Sequence, residues 1–111
     1  MTRRKFVVGL VLLLGSTTAG AAQRGRTPTT HTVTLEGMVF KPAALTIRAG
    51  DTVVWVNKDI VEHTATASAA NGFDSKMIGP GKSWKRAFTS KSSFDYVCTY
   101  HPTMKGTLVV R

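Results

Sequence analysis

Cysteine is nearly absent from this sequence. Its 111 residues hold one, Cys98, so no internal disulfide can form and the lone thiol calls for another use, of which metal ligation is one. Acidic residues are also few: 6 Asp and Glu stand against 15 Lys and Arg, a formal charge of +9. That imbalance points to acidic partner surfaces, met by steered and salt-sensitive encounter. The basic residues are scattered rather than clustered, which argues against a nucleic-acid-binding patch. No apolar run is long enough to span a bilayer comfortably, and no long amphipathic helical pattern appears. The 42% of apolar residues still suffices for a globular core, and the length allows one domain.

The N-terminus reads as a targeting segment rather than as part of that domain. Arg3, Arg4 and Lys5 precede an apolar run over residues 6–14, and a small, polar stretch over 16–22 ends in Ala19-Gly20-Ala21-Ala22. This is the order of a secretory signal with cleavage after Ala21 or Ala22, and it predicts a soluble periplasmic protein with no membrane insertion after processing. The paired arginines also fit a twin-arginine address. Without residues 1–22 the chain keeps 12 basic and 6 acidic residues, a charge of +6. Residues 23–31 lack an apolar anchor and are expected to form a flexible leader, leaving 32–111 as the folded domain.

Within that domain, short segments of period-two or β-branched character recur between turn signals, the pattern of an all-β sandwich or barrel. The expected strands are residues 31–36, 44–48, 52–57, 63–68, 83–88, 93–98 and 106–110, with turns at 49–51, 79–82 and 89–92. Alternation places Val33 with Leu35, Leu45 with Ile47, Trp84 with Phe88, Phe94 with Tyr96, and Leu108 with Val110 on core faces. Val53-Val54-Trp55-Val56 is apolar on both faces, as expected of a strand covered on both sides or bordering a site.

Chemistry concentrates in Cys98-Thr99-Tyr100-His101-Pro102-Thr103-Met104. A thiolate, an imidazole and a thioether this close favour copper, because the sulfur donors select a soft ion and imidazole serves both its oxidation states. Cys98 shares parity with Phe94 and Tyr96, so it points inward at the end of its strand, with His101 and Met104 in the loop that follows. A second imidazole comes from His63, which follows a polar excursion after a buried strand, rather than from His31 beside the leader. Taken singly, each of these residues has a plain structural use as a buried thiol, a core gap-filler or a satisfied imidazole. Their joint spacing points to metal. Zinc takes the same nitrogens and thiolate but gains little from a thioether.

The run from Gly50 to Asp59, then His63-Thr64, then Phe73-Asp74-Ser75, then Tyr96 to Gly106 with its Cys-x-x-His-x-x-Met spacing, resembles the small blue-copper cupredoxins of the amicyanin and plastocyanin type. The resemblance covers residues 32–111. It implies a Greek-key β-sandwich of about seven to eight strands and one copper ion, cycling between Cu(I) and Cu(II) at a type 1 site. The ligands it implies are His63, Cys98 and His101 in a near-trigonal plane, with Met104 as the weak axial ligand. It further implies a monomeric electron carrier, not an enzyme, that serves transient redox partners. A copper chaperone or storage protein is the alternative class, but such proteins tend to expose exchangeable sites. An enzyme needs an open coordination position or further ligand clusters, and the sequence has no second cluster. Partners are expected at the exposed edge of His101, beside apolar surface from Ile78-Gly79-Pro80 and a basic rim of Lys58, Lys76, Lys82, Lys85 and Lys105. Two positions depart from the family pattern: Thr64 stands where an asparagine commonly ties the ligand segments together, and Tyr100 stands where proline is frequent.

Overall fold

The computed structural model describes residues 26–111. The expected signal segment and residues 23–25 of the leader lie outside the described residues. The described chain is all-β: β1 (Thr30–Leu35), β2 (Phe40–Lys41), β3 (Ala44–Ile47), β4 (Thr52–Asn57), β5 (Thr66–Ala67), β6 (Phe73–Asp74), β7 (Ser83–Ala87), β8 (Ser92–Cys98) and β9 (His101–Val110). They form one sheet in the order β2-β1-β4-β7 and another in the order β3-β9-β8-β5-β6. The chain changes sheet between β2 and β3, β3 and β4, β4 and β5, β6 and β7, and β7 and β8, and the pairs β1–β4 and β3–β9 run parallel. This interleaving is that of a Greek-key sandwich.

Strands form where the alternation lets one face be buried and the other wet. Val33, Leu35, Val53 and Trp55 face inward from the first sheet, opposite Phe94, Tyr96, Leu108 and Val110 of the second. At the centre Phe73 packs against Trp55 at a ring-centroid distance of 5.3 Å, Phe94 at 5.4 Å, Phe88 at 5.6 Å and Tyr96 at 5.7 Å. Such pairs add roughly 0.5–1.5 kcal/mol each beyond the area they bury, so this cluster fixes how the sheets stack. Gly106 sits directly over the Tyr96 ring, where a Cβ would collide with it.

Several strand expectations change. Residues 101–105 belong to β9 rather than to a loop, because the chain re-pairs with β8 immediately after Cys98, across a register shift at Val97/Cys98. The strand expected over 63–68 shrinks to β5, with His63 making an isolated bridge to Ile78. The short strands β2 and β6 carry too few residues for any periodicity to reveal them. Val54 and Val56 are half-exposed: β4 is central in its sheet, yet its outer face is not covered.

The leader expectation fails over residues 26–31, which are tied down by polar rather than apolar contacts. The buried Asp51 carboxylate at the start of β4 receives the backbone N–H groups of Thr29 at 2.9 Å and Arg48 at 3.1 Å. It also binds Arg26 Nη1 at 3.2 Å and His31 Nε2 at 3.0 Å. The Thr29 N–H and the His31 contact lead in holding Asp51 far below the usual carboxylate range, against the burial that pushes it up. This clamp closes one pole, where Ala49 and Gly50 also bond to Arg111 and Phe88.

A carboxylate with a depressed folded-state value contributes stability above its unfolded value of about 3.9 and loses it as pH falls below that. Asp51→Asn is therefore expected to lower the thermal midpoint at neutral pH, with the gap to wild type narrowing as pH drops below about 4. Melts across a pH series check this; a gap that is absent at neutral pH or constant into acid contradicts it.

Candidate metal centre

The opposite pole gathers the sulfur and two imidazoles. Cys98 ends β8 with its side chain inward and fully buried, in line with Phe94 and Tyr96. Three residues later the chain re-enters the sheet at His101, whose Cα pairs with that of Cys98. Met104 follows on the inward face of β9, buried, while His101 is half-buried. Tight reversal and strand pairing thus deliver three candidate donors from one hairpin.

His63 comes from the other side and is fully buried. Its backbone is held by Ile78 through two hydrogen bonds, His63 N–H to the Ile78 carbonyl at 3.2 Å and Ile78 N–H to the His63 carbonyl at 2.7 Å. Its Nε2 meets Asp59 Oδ2 at 2.8 Å. A carboxylate only accepts, so in the neutral ring the proton sits on Nε2 and Nδ1 keeps its lone pair. That lone pair lies beside the thiol, with Nδ1 and Cys98 Sγ 3.7 Å apart. Two donors on one ion at about 2.3 Å for sulfur and 2.0 Å for nitrogen, at a trigonal angle, stand about 3.7 Å apart. The His63 and His101 rings lie 5.4 Å apart at 69°.

Among the described residues no three His, Cys, Asp or Glu side chains are drawn into a closed metal-holding group. The close pair is Cys98 with His63; His101 stands beside it on the adjoining strand, and the fourth donor is a thioether. A thiol, two imidazoles and a thioether form a set that suits copper. His31, by contrast, is at the far pole against Asp51.

Three supporting residues were not legible as such in the sequence. Asn57, fully buried at the end of β4, donates through Nδ2 to the carbonyls of Val61 at 2.8 Å and Ile78 at 2.9 Å and accepts the Asp59 N–H at 2.9 Å. It pins the loop that ends at His63. Asp59 also accepts the N–H groups of Gly37 at 2.7 Å and Met38 at 3.0 Å. Burial pushes its carboxyl up, but the bonds from His63, Gly37 and Met38 outweigh this and hold it below its ordinary value. An acidic residue four positions before a candidate histidine was the available signal. Thr64 is the third: its N–H donates to Cys98 Sγ at 3.3 Å and its Oγ1 accepts the Thr99 N–H at 2.9 Å. A threonine thus joins the two candidate ligand segments.

With this geometry in view the comparisons are decisive. Residues 28–111 match the family of copper binding proteins described as plastocyanin/azurin. The chain belongs to that family. Its cofactor is one copper ion. Amicyanin of Paracoccus versutus is 32% identical over 82 residues, covering 70% of this chain and 62% of that protein. The chain thus spans under two thirds of the length of that relative. Plastocyanin of Scenedesmus fuscus is 34% identical over 87 residues, covering 67% of this chain and 88% of that protein. Among solved structures, the Cu(I) form of a methionine-to-alanine mutant of amicyanin superposes with a TM-score of 0.71 at 27% identity, over 78% of this chain and 86% of that one. Such neighbours share the all-β cupredoxin fold described above.

If Asp59 orients His63 as this geometry indicates, Asp59→Ala weakens copper affinity by about 10–100-fold. Chelator competition on the folded variant, with β-sheet content checked by circular dichroism, measures this. Unchanged affinity contradicts the role given to Asp59.

Proposed function

We propose that this cupredoxin is a type 1 blue-copper electron carrier, with His63, Cys98 and His101 as the principal copper ligands and Met104 as a weak fourth. The observation that carries the reading is the fully buried Cys98 thiol, 3.7 Å from His63 Nδ1 and capped by the Thr64 N–H. Bound copper supplies a one-electron Cu(II)/Cu(I) couple at this pole. The chain's own contribution is to hold the donors still. Asp59 and the Ile78 bridge fix the His63 ring, the Cys98–His101 pairing fixes the hairpin, and Thr64 ties the two together, all through bonds independent of the metal's charge. Little therefore moves when an electron arrives, and burial of the sulfur keeps water and chelating thiols away from it. A closed site of this kind suits a carrier rather than a copper-exchanging chaperone.

His101 is the ligand nearest solvent. Around that pole lie exposed apolar side chains from the converging loops: Met38, Ile60, Val61, Met77 and Tyr100, with Ile60 92% exposed. Ile78, expected on this surface, is buried instead, and its neighbour Met77 is exposed. Five apolar side chains left in water on loops around one pole suit a docking surface, and a small patch fits the brief encounters of electron transfer. Lys58, Lys76, Lys82, Lys85 and Lys105 are all exposed, and with the charge of +6 left once residues 1–22 are removed they favour acidic redox partners. We assign the carrier to the periplasm, with residues 1–22 removed, on the strength of the charged, apolar and small-residue order of the N-terminus, and we take residues 26–111 to act as one monomeric copper domain, since Arg26, Thr29 and His31 are fastened to Asp51.

Loading the processed protein with Cu(II) is expected to give an intense blue thiolate-to-copper band that bleaches on reduction and returns on oxidation, and Cys98→Ser is expected to abolish it. A pale product, or a colour that survives Cys98→Ser, overturns the reading.

A further inference from the structure

The lock between the ligand segments does not end at Thr64. Thr66 Oγ1 lies 3.0 Å from Thr64 Oγ1 and 3.1 Å from Oδ1 of Asp74, its partner across the β5–β6 pair. Thr64 Oγ1 in turn lies 3.2 Å from Thr99 Oγ1 and 2.9 Å from the Thr99 backbone N. These contacts form one unbroken line from an exposed carboxylate to the residue after Cys98.

Proton counting fixes its direction. The Thr66 hydroxyl has one proton, and an ionised carboxylate accepts only. If Thr66 gave that proton to Thr64, two lone pairs would face each other at the 3.1 Å contact with Asp74. Every contact is satisfied when Thr66 donates to Asp74, Thr64 donates to Thr66, and Thr64 Oγ1 accepts both the N–H and the O–H of Thr99. Hydroxyl chains oriented this way strengthen one another. Asp74 is itself held by the Lys76 backbone N–H at 2.8 Å and by Lys76 Nζ at 3.5 Å. The Lys76 N–H is the main reason its carboxyl stays below the ordinary value and so remains ionised at neutral pH, against a smaller push from burial.

We propose that Asp74 and Thr66 are positioning residues for the copper site: the surface carboxylate sets the polarity of a threonine hydroxyl relay that seats Thr64, and through the Thr64 N–H it sets the charge withdrawn from the Cys98 sulfur. The proposal rests on the ligand reading above for its redox consequence, but not for the relay itself. A firmer N–H donation to sulfur favours the reduced ion, since it draws density from the thiolate that would otherwise stabilise Cu(II). Cutting the relay therefore lowers the reduction potential.

The test uses Thr66→Val, Asp74→Ala, the double variant and Thr66→Ser. In the copper-free protein, amide hydrogen exchange at Thr99 is expected to quicken about fivefold in each single variant, as for the loss of one neutral hydrogen bond. The double variant is expected to go no further than either single one, because both cut the same line, and Thr66→Ser is expected to restore wild-type exchange. In the copper-loaded proteins the blue band persists throughout, while the midpoint potential falls in the two single variants and recovers in Thr66→Ser. Additive effects in the double variant, unchanged Thr99 exchange, or a potential that stays put or rises in blue Thr66→Val overturns the proposal. Absence of a blue band in the wild type instead defeats the ligand reading, and the copper-free exchange still judges the relay.

Discussion

A buried thiol beside a buried imidazole is the constraint on which the rest of this structure depends. Neither group would sit at a protein's pole without reason: the thiol is denied water, and the imidazole needs a partner for each nitrogen. The fold answers with Asp59 on the far nitrogen of His63 and the Thr64 N–H on the sulfur of Cys98. The near nitrogen is left facing the sulfur across 3.7 Å. In the reading proposed above the copper is held between these two atoms, whose separation is set by contacts lying outside the pair.

Those contacts come from elements far apart in the chain. Asn57, at the end of the central strand of one sheet, anchors the His63 loop and the carbonyl of Ile78. Cys98 and His101 come from the β8–β9 hairpin of the other sheet. The aromatic cluster around Phe73 holds the two sheets in one relation, so it also sets the distance between the segments that carry His63 and Cys98. The opposite pole is closed by a different device, the polar clamp on Asp51. One end of the sandwich carries chemistry and the other carries the fastening.

Much of this was legible in the residues. Period-two alternation located the faces of β1, β4, β8 and β9, because burial of one face is a local, repeating demand. The inward parity of Phe94, Tyr96 and Cys98 placed the thiol correctly for the same reason. What alternation does not carry is pairing. The extension of β9 back to His101, the two-residue strands β2 and β6, and the reduction of the 63–68 strand to a bridge all depend on partners distant in sequence. Polar support was also hidden. Residues 26–31 looked unanchored because they are polar, yet Asp51 fastens them. Thr64 looked like a departure from the asparagine pattern, yet its hydroxyl reaches the Thr99 N–H. Hydrogen-bond partners of this kind are chosen by the fold and leave little trace in composition.

The central claim is that one buried sulfur and two imidazoles, prearranged by the fold, hold copper and stay in place through a redox cycle. X-ray absorption at the copper edge of the oxidised and reduced protein tests it most directly. The account predicts one short sulfur contact and two nitrogen contacts in both states, with only small changes in length between them. A shell of nitrogen and oxygen alone, or loss of the short sulfur contact in either state, would contradict it.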